Sequence, residues 1–291
     1  MRTRRLLLTA ALFWTTLLVG PTLSPAPARV RINGSTTVNP VVVDAAKMLR
    51  SEEDIEILID TVGGSSGGIA ALGDGRIEIA MSSRPLSDDD RRRFPRTDFR
   101  AVRIGVDALA LVVSRDVWEA GVHSLSPEQV RDLYEGRVRS WREVGGPDRR
   151  VVFFNKEPGR GTWEVFVNWL YQGADHAPFV NLPEVGSNEE GRNKVASTPG
   201  SITQLSAAWA DGEQIFALGL RTHRGRVIYP TEDRLVDGSY PLARSLFVIS
   251  DGLPRGETAL VIGFLTSSRG QQLVTRHGFS PLPAFREDLS P

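Results

Sequence analysis

The sequence predicts an α/β fold with mainly parallel sheets, and three observations carry the prediction. Apolar runs of strand length alternate with stretches of helical period along the chain. Three strand ends open directly into turns rich in Gly, Ser and Thr that each start a helix. No internal repeat or low-complexity tract interrupts the alternation. In such sheets ligands bind beyond the carboxyl ends of the strands, where these turns lie. The 291 residues suffice for one large or two medium domains, and a content of 41% hydrophobic and 24% charged residues is that of a soluble globular chain.

Residues 1–28 read as a cleaved secretory signal peptide. Arg2, Arg4 and Arg5 precede an apolar run over residues 6–19, followed by Pro21, Pro25 and a small-residue site at Ala26-Pro27-Ala28. The run is shorter than the ~20 apolar residues that cross a bilayer, which favours cleavage after Ala28 over a membrane anchor. Thr3-Arg4-Arg5 loosely resembles a twin-arginine signal, but the long apolar core favours the general secretory route. Cleavage removes the three arginines and leaves 32 basic against 35 acidic residues, a net charge of −3. That balance argues against nucleic acid or an acidic membrane surface as partner. The chain has no cysteine. An exported protein of this kind must rely on its core without disulfides, and it has no thiol for a lipid anchor. A free periplasmic protein is expected.

In chain order, Val30, Arg31 and Ile32 form a short strand that turns at residues 33–37 into a helix over residues 38–49. Ser35, Thr36 and Thr37 are helix-capping types, and Pro40 suits a first turn. Residues 55–62, IEILIDTV, are a strand of buried type, and six small residues, 63–68, lead to a short helix over residues 69–72. Residues 77–81 form another strand, which ends in Ser82-Ser83-Arg84-Pro85. Residues 88–93, DDDRRR, read as a solvated helix with acids before bases, as the helix dipole prefers. A long apolar strand covers residues 106–113, Ser126-Pro127-Glu128 opens a helix, and residues 141–146 form a turn. Further on, a helix begins at Ser187-Asn188-Glu189-Glu190, and another is predicted over residues 203–210. A short strand at 215–220, a second long apolar strand at 244–250, and helices at 258–265 and 268–277 close the chain.

The stretch NKEPGRGTWEVFVNWL, residues 155–170, carries the densest chemistry. A strand-like run over residues 151–154 leads into Lys156, Pro158 and Gly159-Arg160-Gly161, and then a helix buries Val165, Phe166, Trp169 and Leu170 on one face. A helix start leaves backbone N–H groups without partners and carries partial positive charge. Glycines admit a ligand close to the backbone. Lys156 and Arg160 add charge, and Thr162 adds a hydroxyl. Together these features suit an anion such as phosphate, sulfate or a carboxylate. A capped helix with a surface Lys and Arg is the plainer alternative. Ser35-Thr36-Thr37, Ser65-Ser66 and Ser83-Arg84 supply comparable chemistry at other strand ends. One helix N-terminus is worth ~0.3–1 kcal/mol to an anion and a charged hydrogen bond roughly 1.5–3 kcal/mol. Several converging could reach the ~8 kcal/mol of a micromolar site.

Six runs then resemble one family: Gly34-Ser35-Thr36-Thr37-Val38-Asn39-Pro40, Gly64-Ser65-Ser66-Gly67-Gly68, Met81-Ser82-Ser83-Arg84, Gly159-Arg160-Gly161-Thr162, Thr198-Pro199-Gly200-Ser201-Ile202 and Tyr240-Pro241-Leu242-Ala243-Arg244. In order and over nearly the whole mature chain they are similar to the periplasmic phosphate-binding proteins of phosphate ABC importers. The resemblance implies a type II periplasmic binding fold. Two α/β lobes would be joined by two crossing strands, residues 106–113 and 244–250, and would close on phosphate in a cleft. Lobe one would comprise residues 29–112 with 246–291, and lobe two residues 113–245. The implied ligand set is Ser35, Thr36, Thr37, Ser65, Ser83 and Arg84 from lobe one, with Lys156, Arg160, Gly161 and Thr162 from lobe two. The implied partner is a membrane permease. No cofactor, metal or enzymatic activity is expected, and the receptor is expected to be a monomer.

The chain departs from the family pattern at three of these positions. Many relatives carry an aspartate where Ser83 stands, and that carboxylate accepts the proton of phosphate and repels sulfate. Lys156 replaces an arginine, losing bidentate geometry, and Arg160 replaces a serine. Glu157 is the expected substitute acceptor. A receptor for another oxyanion such as sulfate is therefore one alternative reading. A second is a serine hydrolase, because Gly63, Ser65 and Gly67 match G-x-S-x-G between a strand and a helix, with Asp251 and His277 following in suitable order. His277 is explained equally well as a cation at a helix C-terminus. No His pair has metal-ligand spacing, there is no phosphate-binding G-x-x-x-x-G-K-[ST], and Trp163, Trp169 and Trp209 read as core.

Overall fold

The computed structural model describes residues 28–285, so the signal peptide expected over residues 1–28 lies, apart from Ala28, outside the described residues. The first elements are β1 (Ala28–Gly34), α1 (Asn39–Glu53), β2 (Ile55–Asp60), α2 (Gly64–Gly73), β3 (Ile79–Ser82), α3 (Asp88–Arg93) and the 16-residue β4 (Phe99–Ser114). Next come α4 (Arg115–Glu119), β5 (Ser124–Leu125), α5 (Pro127–Tyr134), β6 (Val152–Lys156), α6 (Gly161–Tyr171), β7 (Glu184–Val185), α7 (Asn188–Ser197) and β8 (Ser201–Ser206). The chain ends with β9 (Ile215–Ala217), β10 (Gly219–Arg221), β11 (Val227–Ile228), α8 (Glu232–Val236), β12 (Ala243–Asp251), α9 (Gly256–Thr266) and α10 (Ser268–Arg276).

The main sheet runs β2-β1-β3-β12-β4-β8-β6-β7, with β9 also on β4. Pairing is parallel where helices cross over, as in β1 with β2 and β3 and β6 with β7 and β8. The predominantly parallel expectation needs one revision: β4 and β12 run antiparallel to each other, β12 to β3, and β4 to β8 and β9. These two strands pass between the lobes in opposite directions, which imposes antiparallel pairing. The short strand expected at 215–220 is split: β9 joins β4, while β10 forms a small second sheet, β11-β10-β5, whose strands have only two or three residues each.

The core is divided. Val30, Ile32, Val42, Ile79, Ile104 and Leu246 pack with Val261 and Leu273 in one cluster. Leu109, Leu111, Leu133, Phe153, Phe166 and Ile202 belong to another. β4 contributes Ile104 to the first and Leu109 to the second, so one strand is continuous through two α/β lobes. Each such side chain contributes roughly 1.5–3 kcal/mol when fully buried.

Two further local predictions differ from the structure. Residues 203–210 are not helical: residues 201–206 are β8, followed by a 3₁₀ turn at Ala207–Trp209. β8 lies between β4 and β6 and is buried on both faces, so the period-2 alternation that marks a strand is absent. The second concerns Ser35, Thr36 and Thr37. The cap position of α1 falls on Val38 with no side-chain cap bond, and Ser35 Oγ accepts the Thr37 amide at 3.2 Å. Gly34 positions this turn. Its φ is +142°, and a Cβ there would sit 2.1 Å from the Met81 carbonyl oxygen. Only glycine lets the end of β1 lie so close to β3.

Candidate functional site

The strand ends and helix starts of the two lobes meet where β4 and β12 cross. From the first lobe, the Ser83 amide donates to Ser65 Oγ at 3.1 Å, and the two hydroxyl oxygens are 3.5 Å apart. From the second, Gly161 and Thr162 begin α6. A Cβ on Gly161 would lie 2.5 Å from Ser65 Oγ and 2.7 Å from Ser83 Oγ, so the absence of a side chain brings this backbone against both serines. As first-turn amides, those of Gly161 and Thr162 have no intrahelical acceptor, and none is found elsewhere among the described residues. Ser35, Thr37, Ser65, Ser83 and Thr162 are all buried; Thr36 is partly exposed.

Arg244 ties these groups together. It stands opposite Asp107 in the β12–β4 register. Its Nε and Nη2 donate to Asp107 Oδ2 at 2.8 and 2.7 Å, and Ser206 Oγ donates to Oδ1 at 2.6 Å. Nη1 donates to Thr162 Oγ1 at 2.9 Å and Nη2 to Thr37 Oγ1 at 3.2 Å, one hydroxyl from each lobe. Burial pushes the Asp107 carboxyl up, while Arg244 and Ser206 pull it down. Asn188, the first residue of α7, donates from Nδ2 to Thr37 Oγ1 at 3.0 Å. A buried set of hydroxyls, helix-start amides and a guanidinium is chemically an oxyanion cradle.

The structure brings Ser35, Thr36, Thr37, Ser65, Ser83, Gly161 and Thr162 into this neighbourhood and gives the three predicted cations other partners. Arg84 is bound by Asp90 at 2.6 Å, Glu164 at 2.5 Å, Ser66 at 2.8 Å and the Pro85 carbonyl at 2.9 Å. Arg160 pairs with Glu157 at 2.7 Å and reaches the Thr61 carbonyl of the opposite lobe at 3.3 Å. Lys156 is buried and donates to the carbonyls of Gly186 (3.3 Å) and Ser187 (2.5 Å) at the approach to α7. Burial, with the charges of Arg160 and Arg244, lowers its pKa to about 7. Glu157, expected as the substitute acceptor, is committed to Arg160 and is partly exposed.

The hydrolase alternative finds no support in this geometry. Ser65 is surrounded by Ser83 and Gly161, while His277 binds Asp44 on α1 at 2.9 Å and Asp251 accepts the Asp98 amide. No group of three or more metal-ligating side chains occurs among the described residues.

The ligand set implied by the sequence omits Arg244, Asp107 and Asn188, although Arg244 ends one of the six family-like runs and Asn188 stands in a predicted helix start. Arg244 and Asp107 carried a usable signal. Each is a lone charge in one of the two long apolar strands, and buried charges of opposite sign are expected to pair. Asn188 carried none, since a Ser-Asn helix start is ordinary.

Comparison with known proteins agrees with this architecture. A family model described as a PBP superfamily domain matches residues 21–269. The phosphate-binding protein PstS of Bacillus subtilis is 25% identical over 259 residues, covering 88% of this chain and 82% of that protein. The protein of the same name from Borreliella burgdorferi is 26% identical over 257 residues, covering 86% and 88%. A crystal structure from Clostridium perfringens, described as a phosphate ABC transporter substrate-binding protein with bound phosphate, superposes with a TM-score of 0.77 at 25% identity, covering 87% of this chain and 99% of that one. An ABC-type phosphate transport receptor from Vibrio cholerae gives 0.68 at 25% identity, covering 87% and 100%. The fold is that of the type II periplasmic binding proteins, two α/β lobes with the cleft between them. The chain belongs to the PBP superfamily domain family.

Proposed function

We propose that this chain is an exported receptor that binds inorganic phosphate between its lobes and delivers it to the membrane permease of an ABC importer. The observation that carries the reading is Arg244, a buried cation that holds Thr37 of one lobe and Thr162 of the other. The relatives described as phosphate-binding, and the Clostridium perfringens structure with phosphate bound, favour phosphate over sulfate. Residues 29–112 with 246–291 form one lobe in this reading, and residues 113–245 the other.

The ligand groups are Ser35, Thr36, Thr37, Ser65, Ser83, Gly161 and Thr162, with Arg244 supplying charge. Arg84 and Arg160 act as struts across the cleft, through Glu164 and the Thr61 carbonyl. Lys156 adds positive charge from behind the site. Closure excludes water and strengthens each hydrogen bond. In this reading the protein does no chemistry on its ligand, and Ser65 serves as a hydroxyl of the cradle beside Ser83. It works as a monomer in the periplasm after loss of residues 1–28.

Calorimetric titration of residues 29–291 with phosphate, and separately with sulfate, tests the reading. Micromolar or tighter phosphate binding with weak sulfate binding is the expected result. Equal binding of both would make this a general oxyanion receptor. Binding of neither would overturn the proposal.

A further inference from the structure

A buried oxyanion must have a partner for every proton as well as for every lone pair. Phosphate retains a proton at neutral pH, and sulfate does not. A site that prefers phosphate therefore needs a hydrogen-bond acceptor, and an acceptor facing an unprotonated sulfate oxygen is repulsive.

The carboxylates around the cradle are occupied. Asp107 accepts from Arg244 and Ser206, Glu164 from Ser66 beside its ion pair with Arg84, Glu157 from Arg160, and Glu190 from the Gly186 amide at 2.8 Å. Ser65 Oγ accepts the Ser83 amide. Two buried side-chain carbonyls lack a hydrogen-bond donor among the described residues: Asn33 Oδ1, whose Nδ2 is turned to the Val62 carbonyl, and Asn188 Oδ1, whose side chain lies on the cradle. Asn188 is 1% exposed, and its Oδ1 is buried with no hydrogen-bond donor among the described residues. Its Nδ2 donates to Thr37 Oγ1 at 3.0 Å. An orphaned buried carbonyl in a polar cluster is unfavourable unless something else donates to it.

The surroundings explain why the carbonyl is spare. Arg244 can only donate, so Thr37 Oγ1 must accept from it; the Asn188 amide takes the second lone pair. The Thr37 proton is then free to be donated to an anion. Lys156 holds the Gly186 and Ser187 carbonyls, and Ser187 Oγ caps α7 by accepting the Glu190 amide at 2.9 Å. The backbone carrying Asn188 is thus anchored on both sides.

We infer that Asn188 is a specificity-determining residue, its Oδ1, left without a donor, accepting the proton of bound phosphate. This rests on the phosphate-receptor reading. The test uses residues 29–291 as wild type, Asn188→Leu, which lacks an acceptor, and Asn188→Asp, which keeps one. Each is titrated with phosphate and with sulfate, and thermal unfolding is checked alongside. The wild type should prefer phosphate. Asn188→Leu should lose about tenfold or more of that preference, mainly through weaker phosphate binding. Asn188→Asp should keep or exceed it, because a carboxylate accepts the same proton and repels sulfate more strongly.

An Asn188→Leu protein that retains the wild-type ratio would overturn the inference and leave the receptor reading intact. A wild type that binds neither anion would overturn the receptor reading itself. A phosphate-bound crystal structure of the wild type tests the same point without a variant. A phosphate oxygen within hydrogen-bonding distance of Asn188 Oδ1 is expected, and a carboxamide turned away from the anion would overturn the assignment.

Discussion

Replacing Arg244 by methionine removes the cation from the buried pair with Asp107 while roughly keeping the volume. Both groups are almost wholly inaccessible, at 4% and 1% exposure. Breaking such a pair from one side costs about 3–5 kcal/mol, because the remaining carboxylate is stranded. The defect should depend on pH. Without Arg244 to oppose burial, Asp107 will have a folded pKa well above its unfolded value, so the folded state binds the extra proton. The deficit is then largest at neutral pH and shrinks as pH falls through that raised pKa. Binding should suffer separately. Thr37 and Thr162 lose the donor that orients them, and two misdirected charged hydrogen bonds are worth about 3–6 kcal/mol, or roughly a hundredfold or more in Kd. The double variant Asp107→Asn, Arg244→Met should recover most of the stability and none of the affinity. Urea unfolding at two pH values and phosphate calorimetry read the two effects. Near-wild-type stability and affinity in Arg244→Met would refute the argument.

Three further outcomes are expected. Lys156 has a folded pKa near 7, against an ordinary value of 10.5, so the unfolded chain binds more protons between those values and stability should rise with pH across that window; Lys156→Met should lack this slope in urea midpoints measured at both ends. Glu164→Gln removes the charge that meets Arg84 across the cleft, and phosphate binding should weaken by about tenfold through faster release, seen by stopped-flow dissociation; an unchanged rate would show that the strut does not govern closure. Gly34→Ala would place a Cβ 2.1 Å from the Met81 carbonyl oxygen at a positive φ, and should lower stability by about 3 kcal/mol or more in chemical denaturation.

Much of this molecule was determined by sequence alone. The α/β class, the turns at residues 35–37, 63–66 and 159–162, and the two long apolar strands follow from local rules: period, glycine and hydroxyl chemistry, and helix polarity. These rules act over a few residues, so the sequence reports them directly. Tertiary structure decided what they could not reach. Residues 201–206 became a strand because β4 and β6 flank them, against a helical local pattern. Arg84 and Arg160 stand in the local context of ligand cations, and only the fold supplies their ion-pair partners Asp90, Glu164 and Glu157. Arg244 and Asp107 are 137 residues apart, and Asn188 and Thr37 are 151 apart. Those pairings come into being only when two lobes, each folded around its own core, bring opposite ends of the chain to one crossing. Burial then decides their chemistry, because a charge or a carbonyl removed from water must find its partner in space, at whatever distance along the chain that partner lies.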